Sequence, residues 1–212
     1  MKVVLLHGLP LDERMWDGQR EALQDFDVVA PRLYGRGNSI DGWAGQILDE
    51  VEGELVAVGA SMGGYCALAM ARREPARARG ILLAASRAGD DSPERKQQRE
   101  QTIRDVRERG LTELEDAWGE RLGPRTPEEM IAAVEALRDR PDSTGVVRSF
   151  SGPLLVVAGD QDDLLSPEEA TQLADSAPQG AVVVFEGAGH FVSLDQPDRF
   201  NEVLGRFLAR WR

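Results

Sequence analysis

The apolar positions of this chain fall into short continuous runs separated by longer amphipathic stretches. The runs are Val3–Leu6, Val28–Ala30, Leu55–Val58, Ile81–Ala84, Leu154–Val157 and Val182–Phe185. A strand with one wet face alternates polar and apolar residues, whereas a strand covered on both faces does not need to. The six runs therefore predict strands buried in a parallel sheet. Between them, helical spacing fits roughly residues 13–24, 43–51, 62–73, 168–176 and 198–210. Alternation of this kind predicts an α/β fold: a doubly wound, mostly parallel sheet of about six strands with helices on both faces.

One stretch breaks the rhythm. From Ser92 to about Gly145 there is no strand-like run. Residues 94–109 are highly charged and helical in pattern, and two further helical stretches fit near 112–121 and 127–139. We read 92–145 as a helical cap inserted in a single domain spanning 1–212, with a solvated surface excursion as the plainer alternative. No internal repeat or low-complexity segment stands out.

Composition narrows the function. The 212 residues carry 37 acids against 25 bases, a net charge of −12. That balance disfavours nucleic acid and anionic membrane surfaces as partners. The single cysteine, Cys66, excludes an intrachain disulfide, and within a helix it reads as a buried, inert thiol. The run Val3–Leu6 is too short for a signal-peptide core or a membrane span, so the expected location is cytoplasmic.

In an open parallel sheet, ligands gather at the carboxyl ends of the strands, so the residues following each run are the candidates. After Leu55–Val58 comes Gly59-Ala60-Ser61-Met62-Gly63-Gly64, then an apolar helical run. A serine on a sharp strand-to-helix turn is forced to project its hydroxyl, and flanking glycines relieve the crowding. The blander reading is a serine that caps the helix. A serine nucleophile needs a base, and only two histidines exist, His7 and His190. His190 lies in a glycine-rich loop after the last run and is the candidate base. His7 follows the first run, in His7-Gly8-Leu9-Pro10, and is expected to brace that loop. The N–H groups of Leu9 and Met62 are the candidate oxyanion donors. The base needs an orienting carboxylate. Three acids follow Leu154–Val157: Asp162 is the first choice, Asp163 the second, and Asp160 is expected to shape the turn. Asp195 is a distant fourth, expected to help start the last helix. Trp43, Trp118, Phe150, Leu165 and Phe191 are candidates for an apolar substrate pocket. Two histidines are too few for a convincing metal cluster, and Gly35-x-Gly37 is too short for a dinucleotide fingerprint, so no metal or cofactor is expected.

The segments VVLLHGLP (3–10), VAVGASMGGYCAL (56–68), VVAGDQDDLLSP (156–167) and GAGHFVSLDQPDRF (187–200) make the chain resemble the α/β-hydrolase superfamily, in its small serine esterase and lactonase-like branch. The resemblance implies Ser61 as nucleophile, His190 as general base, Asp162 as its partner, and Leu9 and Met62 as oxyanion donors. Relatives of this fold that cleave haloalkanes or epoxides carry an aspartate at the elbow, so Ser61 argues against those reactions. Three departures stand out. The chain starts directly at the strand before His7, Pro31-Arg32 stands where an acid often precedes the glycine-rich loop, and the cap is short. The expected function is hydrolysis of a small-molecule ester, lactone or thioester through an acyl-enzyme. The alternatives are carbon–carbon hydrolysis or a lyase step on the same triad, or a ligand-binding protein with little turnover.

Overall fold

The computed structural model describes residues 1–212. Its strands are β1 (Lys2–Leu6), β2 (Asp27–Val29), β3 (Leu55–Ala60), β4 (Ala78–Ala84), β5 (Leu154–Gly159) and β6 (Gly180–Phe185). They form one sheet in the order β2-β1-β3-β4-β5-β6, and every neighbouring pair is parallel. The helices are α1 (Asp17–Ala22), α2 (Ile40–Glu50), α3 (Met62–Arg73), α4 (Pro93–Arg109) and α5 (Thr112–Trp118). They continue with α6 (Pro127–Arg138), α7 (Thr144–Ser149), α8 (Pro167–Asp175), α9 (Val192–Asp195) and α10 (Pro197–Leu208).

The unbroken apolar runs have the cause inferred from the sequence. Successive residues of a strand point to opposite faces, and here each face meets its own core. Val4, Leu6, Ala57, Ile81, Leu83 and Val156 pack with α2, α3 and α8. Val3, Leu5, Val56, Val58, Leu82 and Val157 pack on the other side with Trp16 and the stripe Phe200, Leu204, Phe207 and Leu208 of α10. No helix is long and apolar enough to cross a membrane.

The excursion between β4 and β5 holds α4, α5, α6 and α7. Along its 17 residues α4 buries only Ile103 and Val106. These join Leu111, Met130 and Val134 in a small cluster separate from the two main cores. A capping box at Thr126 and Glu129 starts α6, with the Thr126 hydroxyl accepting from the Glu129 N–H and the Glu129 carboxylate accepting from the Thr126 N–H.

Several elements differ from the sequence reading, among them a stretch near the N-terminus and α7. The helix expected over 13–24 is split into a 3-10 turn, Glu13–Trp16, and the short α1, because the Asp12 carboxylate accepts the Arg14 N–H and starts a tight turn there. The short α7 gave no periodic signal, since Val147 is its one buried residue.

Candidate active site

The strand order reverses at β1, with β2 on one side and β3 to β6 on the other. A crevice at such a reversal is where open parallel sheets bind ligands. Leu6 of β1 lies beside Gly59 of β3, so the segments His7–Leu9 and Ala60–Ser61 leave the sheet together. Leu154–Gly159 pairs with Gly180–Phe185 in the same sense. The loops carrying Asp162 and His190 therefore rise side by side at the same edge.

Ser61 has φ 47° and ψ −110°, a backbone conformation that side chains rarely adopt. Such residues cost about 1–3 kcal/mol and persist where their surroundings hold them. Here the Ser61 N–H donates to the Ala84 carbonyl at 2.8 Å. The Ser61 carbonyl accepts from the Ser86 hydroxyl at 2.9 Å and from the Gly64 N–H at 3.0 Å. The flanking glycines are required by packing. A Cβ at Gly59 would stand 2.4 Å from the Gly63 backbone, and one at Gly63 would stand 2.1 Å from the Leu6 carbonyl oxygen.

The geometry brings Ser61, His190 and Asp162 into one hydrogen-bonded chain. His190 Nε2 lies 2.9 Å from Ser61 Oγ. His190 Nδ1 lies 2.9 and 3.0 Å from the two oxygens of Asp162. A carboxylate only accepts, so Nδ1 carries the proton and Nε2 faces the serine hydroxyl as acceptor. The Asp162 side chain is fully buried. Burial opposes its ionisation, but the hydrogen bond and charge of His190 and the N–H groups of Leu164 and Leu165 outweigh it. The Asp162 carboxyl is thereby held below the usual carboxylate range. Asp163 is exposed and makes no contact with His190.

The other acids brace the histidine loop. Asp160 accepts the Gly187 N–H at 2.7 Å, and Asp195 accepts the Gly189 N–H at 2.8 Å. For Asp195 this corrects the reading as a helix starter: α10 begins at Pro197, and its preceding residue offers no side-chain cap.

His7 is fully buried, and its Nε2 accepts the Leu33 N–H at 2.9 Å. Burial pulls its pKa down to about 3, so it stays neutral and ties the loop after β1 to the loop after β2. The Leu9 N–H donates to no group of the protein. Met62 opens α3, where first-turn N–H groups lack intrahelical partners. Burial raises the Cys66 thiol to about 12.

A cavity of about 720 Å³ opens over Ser61 and His190. Trp118, Leu165 and Phe191 line it. The Phe191 ring packs edge-on against His190 at 5.0 Å and against Trp118 at 5.6 Å. Trp43 and Phe150 are not in it. Trp43 is fully buried in the core under α2, with its ring N–H donating to the Gly37 carbonyl at 2.8 Å, and Phe150 packs into the same core. Both are apolar positions claimed by the sheet's interior, a fate composition alone does not separate from pocket lining.

The sequence reading missed the polar wall. Arg95, Gln98, Arg99 and Thr102 of α4 line the cavity, together with Arg87, Asp91 and Arg121. The spacing i, i+3, i+4, i+7 was readable, but in a helix polar on every side it singled out no face. Asp91 is buried between Arg99 and Arg140, at 3.1 and 2.8 Å. Burial opposes its charge, but the two arginines hold its carboxyl below the usual range.

Residues 3–203 match the model of the alpha/beta hydrolase family, and the chain belongs to that family. A solved thermophilic esterase from Thermogutta terrifontis, with malate bound, is 31% identical and superposes with a TM-score of 0.91. The match covers 99% of this chain and 90% of that one. A pimeloyl-[acyl-carrier protein] methyl ester esterase from Aromatoleum aromaticum is 26% identical over 92% of this chain and 93% of its own. A 2-hydroxymuconate semialdehyde hydrolase from a Pseudomonas species is 26% identical over 98% of this chain and 86% of its own.

Proposed function

We propose that this hydrolase cleaves a small-molecule carboxylic ester, lactone or thioester through an acyl-enzyme formed on Ser61. The observation that carries the reading is the continuous hydrogen-bond chain from Ser61 Oγ through His190 to the buried Asp162. Ser61 Oγ attacks the carbonyl carbon while His190 Nε2 accepts the hydroxyl proton. The charge that develops on the imidazole is balanced by Asp162. The carbonyl oxygen, now an alkoxide, sits against the N–H groups of Leu9 and Met62 and the positive end of α3. His190 then gives its proton to the departing alcohol or thiol. A water enters, loses a proton to His190, and releases the acid. Trp118, Leu165 and Phe191 form the apolar flank along which the substrate lies.

The esterases among the similar proteins favour ester cleavage. The similarity to a semialdehyde hydrolase supports a second reading, carbon–carbon hydrolysis on the same triad, and product analysis separates the two. The first test is intact-mass analysis after treatment with a small fluorophosphonate. One adduct is expected on the parent and none on Ser61→Ala. With an ester substrate, Ser61→Ala and Asp162→Asn are each expected to lower kcat by about 10⁴ or more. An unlabelled parent would overturn the serine-nucleophile reading.

A further inference from the structure

The cavity has two chemically different walls. Around Ser61 and His190 it is apolar, with Trp118, Leu165 and Phe191. The same cavity is also lined by the face of α4 carrying Arg95, Gln98, Arg99 and Thr102. A pocket built only for hydrocarbon or neutral esters would gain by placing apolar residues there, since a half-buried guanidinium costs desolvation unless it is paired. Four arginines and two aspartates line the cavity, inside a protein of net charge −12. The local charge thus runs against the global one.

The arginines differ in what already engages them. Arg87 is paired with Glu169 at 2.9 Å. Arg99 is held by Asp91 at 3.1 Å, and Asp91 is itself shared with Arg140. Arg95 is half-buried, and its guanidinium has neither a carboxylate within ion-pair distance nor a hydrogen bond. It lies one turn before Arg99 on the same face of the helix. Arg99 is fixed by the buried Asp91, and Arg95 beside it is free. Two guanidinium groups one turn apart, one held and one unengaged, can receive an oxyanion.

We infer that the substrate carries an anionic group, a carboxylate or a phosphate, at the end remote from the scissile carbonyl, and that Arg95, with Arg99 beside it, binds that group. The inference rests on the serine-hydrolase reading for the position of the carbonyl, but not for the existence of the anion site. The substrate class is then an ω-anionic acyl ester: a reactive carbonyl at Ser61, an apolar stretch along Phe191 and Trp118, and a charged head under α4.

The test compares methyl half-esters of straight-chain dicarboxylic acids with methyl esters of neutral monocarboxylic acids of the same length, across a range of chain lengths. A parallel series bears a terminal phosphate in place of the free carboxylate and shows which anion is preferred. At one chain length, kcat/KM for an anionic ester is expected to exceed that of its neutral counterpart by at least tenfold. Arg95→Gln is expected to bring that ratio close to one, and Arg95→Lys to retain part of it. Arg104→Gln removes an equal charge from an exposed position of α4 outside the cavity and is expected to keep the ratio. A ratio near one in the parent at every chain length, or a ratio that Arg95→Gln leaves intact, would overturn the inference. If no ester of either series is hydrolysed, the ester-cleavage reading fails by itself, and calorimetry on Ser61→Ala decides the anion site. Saturable binding of a half-ester or its phosphate analogue, lost on Arg95→Gln, upholds it, and no binding removes it.

Discussion

At the residue scale, His7 shows how a group outside the reaction shapes the protein's response to pH. It is neutral in the fold, with a pKa of about 3 against the ordinary 6.5. Between those values the unfolded chain binds a proton that the folded chain does not, so stability rises with pH across this window and is complete above about 6.5. The slope contributed by one such group is about 1 kcal/mol per pH unit in mid-window. Urea midpoints should therefore fall as pH is lowered from 7 to 5. His7→Gln, which keeps an acceptor for the Leu33 N–H, should show a shallower fall. Any contribution of His190 is common to both proteins and cancels in the comparison. Equal slopes would mean that His7 takes up its proton in the fold. The residue scale is also where the sequence was most legible. Ser61, His190 and Asp162 each follow a different strand, and parallel register brings the three loops together. The choice between Asp162 and Asp163 was harder to read, because neighbouring acids in a turn point in opposite directions and only the folded loop decides which one meets the imidazole.

At the scale of elements, the six strands were readable because burial on both faces leaves no polar position to interrupt them. The excursion was readable as an interruption holding three helical stretches, and α4, α5 and α6 fall on them. Its α4 rests on a five-residue cluster, while Ala133, Ala136 and Leu137 of α6 and Val147 of α7 join the main core, so the stability of the α4 side should be partly its own. Met130 is fully buried in the small cluster. Met130→Ala is expected to cost about 2 kcal/mol, at the low end for a core methionine because the surrounding cluster is small. Hydrogen exchange in α4 and α6 should quicken while protection in β3, β4 and β5 stays as it was. Uniform loss of protection across the sheet would show that the excursion and the sheet unfold as one. The cavity-lining face of α4 escaped the sequence reading for a related reason. Periodicity is visible only against contrast, and a helix that buries two residues in seventeen offers almost none.

For the whole molecule, the dominant electrostatic fact is the charge of −12. Most of its ion pairs are exposed, such as Lys2–Asp27 and Arg206–Glu202, and such pairs contribute little each. Self-repulsion of the net charge should then outweigh them, and salt should screen it. Raising sodium chloride from about 0.01 M to about 0.5 M, where the Debye length shrinks from about 30 Å to a few ångströms, is expected to raise Tm by a few degrees. A fall in Tm would show that the ion-pair network carries more of the stability than its exposure suggests.

On the proposed mechanism, reactivity and selectivity occupy different stretches of chain. Ser61, His190, Asp162 and the Leu9 loop come from the strand ends, whereas the guanidinium wall of α4 lies within one contiguous stretch, 92–145. If the proposal holds, the arrangement is modular: exchanging a single segment would retune what is accepted without touching Ser61, His190 or Asp162. The module has one anchor that would have to travel with it. Arg125, just ahead of α6, donates to the Pro10 carbonyl, stacks over Tyr34 at 4.4 Å and faces Asp12. A graft lacking that arginine would leave the loop behind Leu9 unsupported, so in this scaffold the segment can be transplanted only together with the strut beneath that loop.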